Sequence, residues 1–214
     1  MICPICQKRK AKRYCPAKGE NICAVCCGTE REVTIDCPSD CMYLMSSRQH
    51  YHERREVDWE HIPFADRSIS RHVASAREEL LVQLSYVVCS FVQDNPALVD
   101  ADVQASLQAL AESYQTLASG LVYEKPPDYR LQRDLYERLK TAVAEYKHGD
   151  AGQVMIARAT PLDGDIRDAL ILLTQLAAVR SNGRPKSRAF IDSLRSQFKP
   201  GAFERPAPSL IVAP

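Results

Sequence analysis

Cysteines are concentrated near the start of this chain, and they limit how that part of it can fold. Eight of the nine cysteines lie in one short segment, namely Cys3, Cys6, Cys15, Cys23, Cys26, Cys27, Cys37 and Cys41. Few large apolar side chains accompany them, so the segment cannot bury a hydrophobic core that would hold it folded. Cross-links through sulfur must therefore supply much of its stability.

Metal ions, rather than disulfide bonds, are the expected cross-links. The N-terminal sequence MICPICQKRKAK has no apolar stretch typical of a secretory signal, and the longest apolar run, 80–92, is too short to span a bilayer. We therefore expect a cytoplasmic protein without a membrane segment, in which thiols stay reduced and a dense cysteine cluster binds metal. A disulfide framework and an iron–sulfur cluster remain alternatives, although two sets of four thiolates favour two zinc ions.

Two CxxC turns predict the first zinc site. Each turn places two thiolates on one side of a tight loop, and together they supply four ligands: Cys3, Cys6, Cys23 and Cys26. The remaining cysteines of the segment can supply the second site, because adjacent residues such as Cys26 and Cys27 point to different sides. That second set is Cys15, Cys27, Cys37 and Cys41. His50 and His52 follow closely enough in sequence to replace a cysteine ligand.

The spacing C-x2-C-x8-C-x7-C-x2-C, together with the stretch Ala11–Cys15, resembles the B-box zinc fingers, in particular the plant type. The resemblance covers Cys3 to Cys41 and implies a cross-brace, in which ligand pairs one and three share one ion and pairs two and four the other. Lys18 stands where those fingers have an acidic ligand, and Cys37 and Cys41 stand where they have histidines. The string CPAKGENICAVCCG and the later DCPSDCMYL are also similar to the N-termini of uncharacterised bacterial zinc-finger proteins, which implies a bacterial source.

Two clusters of basic residues are candidates for anion or nucleic-acid contacts. The first lies inside the cysteine segment and comprises Lys8, Arg9, Lys10, Lys12 and Arg13, followed by Lys18. The second surrounds the turn SNGRPKSR and comprises Arg180, Arg184, Lys186 and Arg188. Cations also offset the negative charge of thiolate–zinc centres or lie in solvated turns, so both alternatives remain open. The net charge of +1 gives no overall preference for nucleic acid.

Downstream of the cysteines, apolar residues recur at helical spacing. They predict a mainly α chain with a small two-zinc cross-brace module at 1–47, a helical linker at 48–66, an all-α domain at 67–199 and an extended tail at 200–214. The stripes predict a five-helix bundle, with helices around 80–91, 103–121, 131–146, 166–177 and 190–198. Trp59, the single tryptophan, is expected to pack between the two halves.

No catalytic motif is present: G-x-S-x-G, the P-loop, HExxH and G-x-G-x-x-G are all absent from the sequence. The sequence therefore predicts a non-enzymatic interaction or adaptor protein, with the zinc module as a docking head on a helical domain and a protein as its partner. The alternative is a nucleic-acid-binding regulator that uses both basic clusters.

Overall fold

The computed structural model describes residues 1–67, 77–148 and 161–203. The protein is mainly helical, with one small two-stranded sheet. In chain order the elements are β1 (Arg13–Cys15), β2 (Glu20–Ile22), α1 (Ala24–Glu30), α2 (Met42–Arg54), α3 (Glu78–Asp94), α4 (Asp100–Ala118), α5 (Arg130–His148), α6 (Asp163–Arg180) and α7 (Ala189–Arg195). Because 68–76, 149–160 and 204–214 lie outside the described residues, the count of five helices in 67–199 and the extended tail remain predictions.

The head, residues 1–47, is built from a short hairpin and two helices. β1 and β2 pair antiparallel, with Arg13 opposite Ile22 and Cys15 opposite Glu20. The turn between them needs a left-handed residue, which Gly19 supplies with φ 67°. α1 follows the hairpin directly, and α2 begins in the head and continues into the linker, residues 48–66.

The helical body, the described residues 77–148 and 161–199, buries one continuous apolar core. α4 packs along α6 and against α5, while α3 contacts α5, α6 and α7. The side chains that fill the core recur at three- and four-residue spacing, as in Leu80, Leu84 and Val88 of α3. Burying each such side chain contributes on the order of 2 kcal/mol, and the head buries far fewer large apolar side chains than the body does.

Carboxylates fix where several of these helices begin. The Val99 backbone N–H donates to Asp102 at 3.2 Å, and the Leu162 backbone N–H donates to Asp165 at 3.0 Å. Each carboxylate forms half of a capping box and lies at the positive end of the helix dipole. Asp100 of α4 performs a related role for another helix, because it accepts hydrogen bonds from residues at the start of α7.

The linker joins head and body differently from the sequence prediction. Trp59 was expected to pack between them, but its side chain is 63% exposed, so that expectation is wrong. Phe64 packs against the body core instead, and its carbonyl accepts a 3.1 Å hydrogen bond from Gln175 of α6. Among the described helices, none combines the length and apolar character needed to cross a membrane.

Candidate metal centre and its attachment to the body

The first CxxC turn, Cys3 to Cys6, is shaped by backbone hydrogen bonds around its sulfur atoms. Gln7, at φ 52°, donates its N–H to the Cys3 carbonyl at 2.8 Å and closes the turn. Backbone N–H groups of Lys8 and Arg9 then point at Cys6, and they lower the pKa of that thiol to about 6 although its desolvation opposes the shift. A thiolate surrounded by backbone donors is the form that binds metal.

The second CxxC turn lies at the start of α1. Cys23 is the N-cap residue, and its sulfur accepts the Cys26 backbone N–H at 3.3 Å. The Cys23 backbone N–H in turn donates to the Cys3 sulfur at 3.3 Å, which ties the two turns together. Burial alone would raise the pKa of the Cys3 thiol, but the backbone N–H groups of Cys6, Cys23 and Ile5 outweigh burial and lower it.

Together the two turns bring four sulfur atoms to metal-ligand distance. The sulfurs of Cys3, Cys6, Cys23 and Cys26 all lie within 4.8 Å of one another. The Cys6 and Cys23 sulfurs are 3.9 Å apart, close to the roughly 3.8 Å edge of a zinc–thiolate tetrahedron with 2.3 Å bonds. The geometry therefore fits a four-thiolate metal site, as the sequence predicted for this set.

Charge is shared unevenly within this set of sulfurs. Burial, followed by hydrogen bonds to the other three thiols, raises the pKa of Cys26 to about 12. Cys26 consequently holds its proton more tightly than Cys6, whose pKa is lowered to about 6. A cation entering the site must displace that proton, and its charge removes the repulsion between the thiolates.

The second predicted set is less compact. Burial raises the pKa of Cys37, and the neighbouring Cys41 and Cys15 raise it further, so these three thiols interact electrostatically. The fourth member, Cys27, accepts a 3.6 Å contact from the guanidinium of Arg31. Among the described residues, the set that meets within metal-ligand distance is the first one.

The two histidines considered as substitute ligands lie on α2. His50 is exposed and pairs with Glu53 at 3.8 Å. His52 is also exposed, and partial desolvation together with the charges of Arg180, Arg55 and Arg48 lowers its pKa. Neither belongs to the group of sulfurs at metal-ligand distance.

Glu32 connects the head to the rest of the chain. Its side chain is almost fully buried and accepts from Arg48 at 2.7 Å and from Asn182 at 2.6 Å. Arg48 also pairs with Asp192 of α7 at 2.6 Å. These carboxylates raise the pKa of Arg48 despite its desolvation, so the guanidinium stays charged between them. Ser39 adds a second bond to Asp192, at 2.8 Å.

The second basic cluster faces the head instead of solvent. Arg184 donates to the carbonyls of Gly28 and Arg31 in the head. Lys186 donates its backbone N–H to the Glu32 carbonyl at 2.8 Å and its ammonium to the Thr34 carbonyl at 3.0 Å.

Arg188 pairs with Asp36 of the head at 2.8 Å and also donates to the carbonyls of Leu98 and Pro96. Arg180, by contrast, is exposed. In the first basic cluster, Lys8, Arg9, Lys10 and Lys12 are exposed, while Arg13 lies 4.7 Å from the centre of the Tyr43 ring.

Sequence analysis did not identify the residues of this attachment. Glu32, Arg48, Arg55 and Asp192 belong to no motif, and each looks like an ordinary surface charge in the sequence. Arg55, for example, donates to the carbonyls of Val179 and Ser181 at the end of α6. No spacing rule connects residues so far apart, although cations near a helix C-terminus are favoured in general.

No protein-family model, curated protein or solved structure matches this chain. The candidate site is therefore interpreted from its own geometry, and the resemblance to B-box fingers stays a prediction.

Proposed function

We propose that this chain is a zinc-binding, non-enzymatic interaction protein whose head docks a protein partner. The observation that carries the proposal is the set of four sulfurs within 4.8 Å of one another. Four thiolates complete the tetrahedron that zinc prefers, so no coordination position is left open for a substrate. Such a site stabilises a fold and performs no chemistry, and the head needs that stabilisation because its apolar core is small.

A second zinc ion bound by Cys15, Cys27, Cys37 and Cys41 belongs to the same proposal. The electrostatic interaction of Cys37 with Cys41 and Cys15 supports it. Arg31, beside the Cys27 sulfur, would offset the charge of a second thiolate centre. The cross-brace implied by the B-box resemblance also agrees with the first set, in which the first and third cysteine pairs of the sequence share one ion.

The attachment of the head supports a docking role. The head is held against α7 and the end of α6 by ion pairs and hydrogen bonds. The buried carboxylate of Glu32 and the guanidinium of Arg48 lie at the centre of these contacts. A partner that binds the opposite side of the head would therefore meet a pre-organised surface, which lowers the entropic cost of binding.

The alternative function, nucleic-acid binding, needs both basic clusters. Arg184, Lys186 and Arg188 already bind groups of the head, and binding a phosphate would break those contacts. Because these three cations already contact the head, we favour a protein partner over nucleic acid.

Cobalt(II) titration of the reduced, metal-free chain tests the proposal. Binding to four thiolates gives the intense visible bands of tetrahedral cobalt and a thiolate charge-transfer band, both of which zinc should abolish by displacement. Cys23→Ser should remove the bands of the first site, and Cys41→Ser those of the second.

Cys89→Ala is the matched control, because Cys89 lies in the body core and its loss should leave the cobalt spectrum unchanged. Weak absorbance typical of octahedral cobalt in the unaltered chain would contradict the proposal. So would a Cys23→Ser variant whose spectrum equals that of the unaltered chain.

A further inference from the structure

We propose that the outward face of the head hairpin binds an acidic protein segment that carries apolar side chains. This inference rests on the proposed function and names the partner's chemistry. We define the ribbon face as Ile2, Lys10, Lys12, Tyr14 and Asn21.

Residues 10–15 alternate between outward and inward positions, as a strand requires. Lys10, Lys12 and Tyr14 are exposed, whereas Cys15 is buried and Ala11 is half-buried. Of the inward positions, Ala11 and Cys15 pack in the cysteine cluster, and Arg13 lies against the Tyr43 ring. The outward positions therefore form one row on the side of the hairpin that faces away from the metal centre.

Two further residues extend this row, one through an isolated bridge and one through β2. Ile2 forms an antiparallel bridge with Lys10, and Asn21 pairs with Tyr14. Directly paired residues share a face of the sheet. The ribbon face thus has two central ammonium groups, with Ile2 beside Lys10 and Tyr14 beyond Lys12. Ile2 is 65% exposed and Tyr14 is 58% exposed.

The cations of this face, Lys10 and Lys12, and the other exposed cations of the first basic cluster form no ion pairs in the part of the chain that the structure describes. Lys8, Arg9, Lys10, Lys12 and Lys18 are all exposed, and none forms an ion pair with a described acidic side chain. The second basic cluster differs, because Arg184, Lys186 and Arg188 are committed to the head. Positive charge available to a partner is therefore concentrated at the hairpin.

The mixture of groups favours an acidic peptide over nucleic acid. Phosphates would satisfy the lysines, but Ile2 offers a nucleic acid neither a hydrogen bond nor a stacking surface. Tyr14 is the single aromatic residue on the face, whereas proteins that bind single strands stack successive bases on several aromatic rings. Carboxylates opposite Lys10 and Lys12, with apolar side chains covering Ile2 and Tyr14, match both the charged and the apolar groups of the face.

The metal centre would hold this face in shape. The Cys3 backbone N–H donates to the Arg9 carbonyl at 2.8 Å, and Cys3 and Cys15 lie directly under the ribbon. Zinc bound to Cys3 would therefore fix the two segments whose residues Ile2 and Lys10 form the bridge. Binding of the acidic segment should consequently require zinc.

Fluorescence anisotropy with the full, zinc-loaded chain tests the inference. The probe is a fluorescein-labelled peptide in which Glu residues flank a Leu and a Phe. A second peptide has Ser in place of Leu and Phe, and a labelled single-stranded DNA of mixed sequence represents nucleic acid. We expect the first peptide to bind best, and Tyr14→Ser to weaken its binding without affecting the weaker binding of the Ser peptide.

The charge requirement is tested by Lys10→Glu combined with Lys12→Glu, which should weaken the first peptide about 10-fold or more. The matched control, Lys125→Glu with Arg138→Glu, reverses two exposed cations of the body and should leave the affinity unchanged. Both lysines of the ribbon face are exposed, so the variant should keep its zinc, which metal analysis checks.

Three results would overturn the inference: DNA binding tighter than either peptide, affinity unchanged by the double charge reversal, or no binding of any probe by fully zinc-loaded chain. Metal content separates this failure from that of the proposed function. A chain that binds no zinc contradicts the proposed function itself, whereas a zinc-loaded chain that ignores the peptide contradicts only the inference about the partner.

Discussion

The side-chain amide of Asn182 donates a 2.6 Å hydrogen bond to the carboxylate of Glu32, which lies 150 positions earlier in the chain. The other oxygen of that carboxylate binds Arg48. Glu32 adopts φ 51°, a left-handed conformation that a residue with a long side chain rarely takes. The turn after α1 thus holds a strained residue in place through its contacts with the helical body.

Replacing Glu32 by Ala should lower the free energy of unfolding by about 3 kcal/mol, because it leaves the buried Arg48 without one of its two carboxylates. Urea unfolding of the zinc-loaded chain measures the change. Glu30→Ala is the control, since Glu30 bonds only exposed threonines nearby and its loss should cost under about 1 kcal/mol. Equal losses for the two variants would show that the buried attachment contributes little.

Asp100 should titrate above the ordinary range for aspartate. Burial raises its pKa, although Ser187 and the backbone N–H groups of Phe190 and Ile191 lower it. Since the folded pKa exceeds the unfolded one, the folded state holds the proton more tightly. Stability from this group is present at low pH and is lost as pH rises through the folded pKa.

Carboxyl ¹³C NMR reports this titration directly, and the Asp100 signal is the one missing from an Asp100→Asn variant. We expect a midpoint above the ordinary value of 3.8 for that signal. A midpoint at or below 3.8 would mean that the hydrogen bonds at the start of α7 outweigh burial.

Thiol reactivity should separate Cys89 from the eight cysteines of the head. Burial raises the pKa of Cys89 to about 12 and its side chain is inaccessible, so it should not react with a thiol reagent while the body is folded. Adding a chelator should expose the head cysteines to the reagent and leave Cys89 protected. Helical circular dichroism should persist in the same sample.

If chelation also exposes Cys89 and abolishes the helical signal, head and body unfold as one unit. The predicted independence of 67–199 would then be wrong, and the contacts of Glu32, Arg184 and Arg188 would be the reason.

Local patterns predicted much of the helical body, because the period of apolar residues reflects which helix face is buried. The stripe that begins at Leu80 matches α3, which ends at Asp94, directly before Asn95-Pro96. The stripe through Leu121 extended too far: α4 ends at Ala118, and Leu121 is 65% exposed. Gly120, at φ 81°, turns the chain before that residue.

The candidate site was predictable where chemistry fixes a short spacing, as in the two CxxC turns that form the first sulfur cluster. The attachment was not predictable, because Glu32, Asn182 and Asp192 act only through distant partners. The prediction for Trp59 was wrong for a related reason. A large aromatic residue suggests burial, but arginines and Phe64 make the contacts between the linker or head and the body instead.

The central claim is that zinc holds the head together, and native mass spectrometry of the purified chain tests it most directly. The account predicts two zinc ions per chain, one of them lost in Cys23→Ser and both retained in Cys89→Ala. A chain that folds without bound metal, or that carries iron with visible absorbance in place of zinc, would contradict the account.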